Sequence, residues 1–410
     1  MERTVLHVDI NSYFATMLQQ ENPHLRGKPI GVVKDEGRTC LIALSKEAKQ
    51  YGIETGSRKQ EALRLCPNLL CIPATFDRYL DATKRLQQLF LRIAPSVYIY
   101  SLDEAFIDVT DCRQNLYPDI NTLGTDIQDL IKDELGEWVT CNVGIAENRF
   151  MAKMASEVAP KGSVSIVTPE KREQLLATTT FKDVCGIGYR LGKRLSRCNV
   201  FYPYQIRFIP EDDLEKMFGP FWSVELTKMA YGEEPHHLQH LDRELPHMKS
   251  VGRSITGYRL YTNTTEIKHI LHNLAIEVIE KVRRQKLAGR NVWIGLYGQE
   301  DYWSTHVTVQ TPINQLFELI TKIDQLYQKW DGSFKVIKFA IRLSLLQPHL
   351  QDQLLPNWQK HEAIQTALDS INTKFGRFTA RPAALPPQAE LIHPEVTGFL
   401  GDRLYQLREE

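Results

Sequence analysis

At 410 residues the chain exceeds one ordinary hydrophobic core, and about two to four domains are expected from length alone. With 42% hydrophobic and 24% charged residues it has a soluble globular composition, and no apolar run approaches the roughly 18 residues of a membrane span. Formal net charge is zero, which taken alone discourages a polyanionic partner. The opening MERTVLHVDI lacks the basic and long apolar regions of a secretory signal. The seven cysteines form no C-x-x-C pair and no cluster with His, so neither a zinc site nor a disulfide framework is expected, and the setting reads as a reducing cytoplasm.

Within residues 1–18, TVLHVDI reads as a strand running into a helix. Residues 24–73 hold short elements broken by Gly27, Pro29, Gly37, Gly52, Gly56 and Pro67, the pattern of a small, separately packed subdomain. From Leu80 to Ile93 apolar residues recur at helical spacing (Leu86, Leu89, Phe90) and stop before Pro95. Two strands over about 96–110 flank an acidic turn. A helix near 119–135, a strand at 140–146 (TCNVGIA) and a helix over 149–158 complete an α+β layer. Residues 168–232 read as helical, and Gly232-Glu233-Glu234-Pro235 opens a linker running to Pro246. From Val251 to Leu346 the order is strand, helix (Ile267–Leu287), strand, strand, helix (Ile313–Trp330), strand, a compact β-α-β-β-α-β unit. The remaining stretch holds a helix (His361–Lys374) and a Pro/Ala-rich run, RPAALPPQ, that need not be ordered.

The acidic turn is Ser101-Leu102-Asp103-Glu104, within VYIYSLDEAFIDVT, and VLHVDINSYFA brings Asp9 to the end of the first strand. An Asp-Glu at a hairpin turn is by itself ordinary solvated turn chemistry. Three carboxylates on neighbouring strands, however, repel strongly unless cations sit between them. A pair of Mg2+ ions suits such a site, since Mg2+ takes hard oxygen ligands and completes its shell with substrate phosphates. Phe14, five residues after Asp9, is either a core aromatic or a wall of a nucleotide site. The run Phe181–Leu195 contains Gly186 and Gly188, followed by Arg190, Lys193 and Arg194, and looks like a helix-hairpin-helix. A row of backbone amides at such a turn binds phosphate without reading bases; an ordinary αα-hairpin carries the same glycines, but the three cations favour a duplex backbone. Charge distribution agrees: residues 245–347 carry 14 Lys and Arg against 8 Asp and Glu, Arg253 among the former, a surplus the rest of the chain offsets.

VDINSYFA, SLDEAFIDVT, VGIAENRFMAKMAS and DVCGIGYRLGKRL, in this order and spacing, resemble the Y-family translesion DNA polymerases over roughly residues 1–345. CLIALSKEAKQYGI (40–53) and the tail run LDSINTKFGR are more similar to the UmuC branch than to the DinB branch. The resemblance implies a right-hand α+β polymerase: palm at 1–18 and 74–167, fingers at 19–73, and a helical thumb at 168–232. A linker at 233–246, a little finger at 247–347 and a tail at 348–410 would follow. It implies that Asp9, Asp103 and Glu104 bind two Mg2+ ions, with the Ile10 carbonyl as a further ligand, and that Phe14 excludes ribonucleotides. Asn11, Ser12 and Tyr13 would close over the incoming triphosphate, with Lys49 as a basic contact. Lys46 stands where DinB-type members carry Tyr. The K-P-x-G lysine is displaced to Lys161 in Ala159-Pro160-Lys161-Gly162, with Lys153 as a substitute. Gly186, Gly188, Arg190, Lys193, Arg194 and Arg253 would meet DNA. Implied partners are primer-template DNA, dNTPs, a sliding clamp at the degenerate peptide Gln353–Trp358, and UmuD-like and RecA-like proteins, with no membrane. A catalytically silent DNA-binding relative and a nucleotidyl cyclase are the alternatives; the intact carboxylates oppose the first, the hairpin and basic module the second.

Overall fold

The computed structural model describes residues 3–34, 40–112, 119–239, 248–348, 356–376, 378–381, 383 and 385. The chain divides into two compact units, residues 1–244 and 245–396.

The first unit is built on β1 (Val5–Ile10), which turns through Asn11-Ser12 into α1 (Tyr13–Glu21). A small sheet follows, with β2 (Ile30–Val33) between β3 (Leu41–Leu44), antiparallel, and β4 (Leu70–Pro73), parallel. α2 (Lys46–Lys49) and α3 (Lys59–Leu65) lie between β3 and β4, around a separate apolar cluster of Val33, Leu41, Leu44, Ala48 and Ile53. α4 (Phe76–Ile93) then leads to the hairpin of β5 (Ser96–Ile99) and β6 (Glu104–Asp108). After α5 (Ile120–Leu135) come β7 (Cys141–Ala146), α6 (Arg149–Val158) and β8 (Val164–Ile166). The large sheet has the order β5-β6-β1-β7-β8, with β1 antiparallel to both neighbours.

VLHVDI is buried along almost its whole length because both faces of the sheet are covered. Alternation sorts its side chains. Leu6, Val8 and Ile10 enter a core with Leu86, Leu89, Leu123 and Ile127 of α4 and α5. Val5 joins Phe106, Phe150 and Met151 on the other face, under α6. His7 and Asp9 share that parity. α6 sits close: a Cβ on Gly144 of β7 would stand 2.0 Å from the Ala152 carbonyl oxygen.

The helices α7 (Pro169–Thr178), α8 (Tyr189–Arg197), α9 (Glu211–Phe218), α10 (Pro220–Ala230) and the short α11 (His236–Gln239) pack Leu176, Leu195, Leu214 and Leu226 into the same cluster as Phe150. Glu234 accepts from the Arg149 backbone N–H (2.8 Å) and from Arg3 (2.9 Å), tying the end of this helical run to the sheet.

In the second unit a wholly antiparallel sheet, β11-β10-β12-β9, comprises β9 (Ser250–Tyr261), β10 (Leu287–Tyr297), β11 (Tyr302–Ile313) and β12 (Val336–Pro348). α12 (Thr264–Arg284) and α13 (Leu316–Tyr327) cover one face through Ile267, Leu271, Leu274 and Leu319. Element order is that expected, with both helix boundaries moved by a few residues. The tail contains α14 (Pro356–Phe375), longer at its start than expected. Arg283 of α12 holds it, pairing with Glu362 (2.9 Å) and Asp369 (2.6 Å). RPAALPPQ, much of the linker and Gln353–Leu355 of the clamp-like peptide lie outside the described residues, as do the side chains of Pro356–Trp358.

Gly144→Val would force α6 off the sheet or distort β7. A stability loss of about 1–3 kcal/mol or more is expected, read from denaturant unfolding followed by circular dichroism. An unchanged midpoint would show that this contact does not limit packing.

Candidate active site

Pairing register sets the site. β1 places Asp9 opposite Glu104 of β6 on one side and opposite Asn142 of β7 on the other. The row Asn142–Asp9–Glu104 thus crosses three strands on the α6 face. Asp103 lies in the turn just before β6, and its carbonyl accepts the Ile10 N–H at 2.9 Å, locking the turn to the end of β1. Its carboxylate takes a short hydrogen bond from the Ser101 hydroxyl. One step along the row, His7 is fully buried, with Nε2 3.1 Å from Glu104 Oε2 and Nδ1 2.6 Å from the Ser156 hydroxyl. A carboxylate only accepts, so Nε2 carries a proton. From α6, Lys153 donates to the same Glu104 oxygen and, at 2.9 Å, to Glu157.

The three acids differ in electrostatics. Burial and the neighbouring Glu104 charge push the Asp9 carboxyl up to about 7, although Lys161, its Nζ 3.8 Å from Oδ1, opposes this. Burial also raises Asp103, against the Ser101 hydrogen bond. For Glu104 burial works upward too, but the His7 hydrogen bond and the Lys153 charge outweigh it and hold the carboxyl down at about 2. Among the described residues no three such side chains converge tightly enough to cage an ion as placed. The donor set nonetheless fits Mg2+: Asp9, Asp103 and Glu104 offer hard carboxylate oxygens on adjoining strands.

Ser12 adopts a left-handed backbone (φ 52) in the turn from β1 into α1, and Lys49 donates to its hydroxyl at 3.0 Å. Burial, then the charge of Lys161, lowers the Lys49 ammonium pKa, with Asp9 pulling the other way. Lys49 and Lys161 therefore converge on the Asp9 end of the row. The displaced Lys161 is delivered by a turn that Asn142 holds: its side chain donates to the Ser156 carbonyl (2.7 Å) and accepts from the Gly162 N–H (2.7 Å). Phe14 is partly buried, stacked on Tyr79 at 4.3 Å and edge-on to Phe76 at 5.4 Å. Asn11 is buried, its amide 3.3 Å from Thr140 Oγ1.

Several expectations need correction. The Tyr13 side chain is in the core, its hydroxyl donating to the Tyr79 carbonyl at 2.7 Å, so only its backbone can meet a triphosphate. Lys46 turns to the Trp138 ring, 4.8 Å from the centroid, because an aromatic face beside Glu47 offers a better partner than open solvent. Arg253 faces inward on β9, paired with Glu277 at 2.9 Å with 1% of its side chain exposed, and cannot reach a phosphate. In the hairpin, the arm before Gly186 is only a 3-10 turn, Phe181–Asp183. Gly186 has φ 88 and packs beside His237; Gly188 opens α8. Arg190, Lys193 and Arg194 are all exposed, and Arg194 also donates to the Met217 carbonyl at 2.6 Å and lies over Phe218. Sequence reasoning missed His7 and Glu157 and gave Lys153 a phosphate role; the signal was polar side chains at buried parity positions.

Comparison with known proteins gives a consistent match. The impB/mucB/samB family model matches residues 8–157, and the model of the impB/mucB/samB family C-terminal domain matches residues 248–355. A DNA polymerase IV of Acetivibrio thermocellus is 26% identical over 397 residues, 94% of this chain and 98% of its own length. One of Pelotomaculum thermopropionicum is 28% identical over 400 residues, covering 95% and 98%. Among solved structures, a Y-family DNA polymerase chimera of Dbh and Dpo4 superposes with TM-score 0.72 at 20% identity, covering 84% of this chain and 99% of its own. These relatives carry the name of the DinB branch, so the expected placement with UmuC first is not supported.

Raised above its ordinary 3.8, the Asp9 carboxyl contributes stability at low pH that is lost as pH rises through about 7. A bound divalent cation would offset that loss without having to displace a proton. The rise in Tm on adding Mg2+ should therefore be larger at pH 8 than at pH 6, measured by scanning fluorimetry; equal rises would contradict the assignment.

Proposed function

This chain belongs to the impB/mucB/samB family and is a Y-family DNA polymerase, and we propose that it extends a primer across damaged template with low fidelity, by two-metal nucleotidyl transfer. The observation that carries this reading is the row Asn142–Asp9–Glu104 with Asp103 in the adjoining turn, flanked by Lys49 and Lys161. Asp9, Asp103 and Glu104, with the Ile10 carbonyl, would hold two Mg2+ ions. When bound, these ions supply activation of the primer 3′-hydroxyl and neutralisation of the leaving pyrophosphate.

The remaining work falls to the chain's own residues. The Asn11–Ser12 turn and the first amides of α1 face a triphosphate with partial positive charge. Lys49 and Lys161 bring point charges to the same phosphates, and Phe14 fills the space a ribose 2′-hydroxyl needs. Residues 1–18 and 74–167 serve as palm, 19–73 as fingers, 168–232 as thumb and 247–347 as little finger, joined by the linker 233–246 and followed by the tail 348–410. The fingers have a core of their own built from a handful of side chains, which favours loose contact with the nascent pair. Gly186, Gly188, Arg190 and Lys193 would bind duplex phosphates. Among the described residues no helix is long and apolar enough to cross a membrane. The cytoplasm is the proposed setting. A clamp partner at Gln353–Trp358 stands as a proposal, while UmuD-like and RecA-like partners lose support with the UmuC placement.

Primer extension on undamaged and abasic templates tests the function. Asp103→Ala should abolish incorporation in Mg2+ while primer–template affinity holds; incorporation near the parent rate would sink the two-metal reading, and ATP turnover without primer would favour a cyclase. Phe14→Ala should improve ribonucleotide use at least about tenfold, or ~1.4 kcal/mol of discrimination. If discrimination is unchanged, Phe14 is packing only.

A further inference from the structure

We propose that His7 and Lys153 are positioning residues that pin Glu104 by one oxygen, so that it offers a cation a single donor and the site prefers Mg2+ over Ca2+. The inference rests on the reading of Glu104 as a metal ligand. Both donors, His7 Nε2 and Lys153 Nζ, sit on Oε2. Oε1 is left for a cation.

Neither donor is free to move away. His7 is fully buried and its far nitrogen is held by Ser156 at 2.6 Å. The Lys153 side chain is 6% exposed, bonded also to Glu157 and lying 5.3 Å over the Tyr100 ring. The backbone fixes both from below: His7 is two residues before Asp9 on the same face of β1, and the Gly144 contact sets the depth from which α6 delivers Lys153. Pulling one partner out of such a buried charge pair leaves the other uncompensated, so the arrangement resists being opened by an ion.

The chemical consequence follows from the size of the ion. Mg2+ demands near-octahedral geometry and is satisfied by carboxylates that each give one oxygen, whereas Ca2+ takes more ligands and readily uses both oxygens of one carboxylate. A Glu104 whose second oxygen is already occupied by two donors cannot open into the bidentate form. Freed of one donor, it can.

The test uses the full chain without DNA or nucleotide. Mg2+ or Ca2+ displaces bound Mn2+, followed by the EPR signal of free Mn2+, and the ratio of the two affinities is read. The ratio cancels the general gain in cation affinity that follows from deleting a positive charge. His7→Phe and Lys153→Met should each shift it toward Ca2+ by about tenfold, in the range of effects of residues behind metal ligands. His7→Gln retains an N–H donor and should return it near the parent value. A ratio within about twofold of the parent in folded Lys153→Met overturns the proposal, and so does His7→Gln behaving like His7→Phe. If His7→Phe does not fold, by its thermal melt, Lys153→Met and His7→Gln decide alone. A shifted ratio in a chain that fails primer extension would leave the positioning role standing and remove the polymerase reading; extension with an unshifted ratio would do the reverse.

Discussion

Asp9 and Glu104 face each other across two hydrogen-bonded strands, and that pairing fixes most of what surrounds them. Directly opposed side chains in an antiparallel pair have Cβ atoms about 4.5–5.5 Å apart, where like charges repel. Register cannot slip to relieve them, because a one-residue shift would turn Leu6, Val8 and Ile10 out of the core. The repulsion has to be met locally. Lys153 meets it from above on α6, His7 from the same strand, and Lys161 from the turn after α6. Each compensation has its own structural requirement: a glycine at 144 for the helix to come near, and a buried Asn142 to hold the turn.

The compensation is uneven, and the unevenness is useful. Glu104 is kept ionised by its two donors, while burial and the facing Glu104 charge raise Asp9 to about 7 despite Lys161 at 3.8 Å. One carboxylate is therefore a fixed anchor and the other responds to what arrives. The lysines around the row follow the same logic. Lys49 and Lys161 converge on the Asp9 end of the row, while Lys46 is drawn to Trp138.

Much of this was legible in the residues. The strand at Val5–Ile10, the acidic turn, the helix Arg149–Val158 and the order of elements after residue 250 all follow from periodicity. Arg253 was readable too: it shares parity with Val251 and Ile255 on β9, the inward side, and the basic surplus of its module obscured that. His7 shares parity with Asp9 in the same way. What periodicity could not supply is the partner. That Lys153 meets Glu104, that Lys46 meets Trp138, or that Tyr13 spends its hydroxyl on the Tyr79 carbonyl depends on which elements lie beside each other, and no local pattern specifies lateral packing.

The grip of Arg283 on Glu362 and Asp369 changes the standing of the segment before it. β12 ends at Pro348 and α14 begins at Pro356, each packed within the same unit. A partner that binds Gln353–Trp358 would have to lift the first turn of α14, which begins at Pro356, to take hold of all of it. Its binding would be coupled mechanically to Arg283, which holds that helix through Glu362 and Asp369.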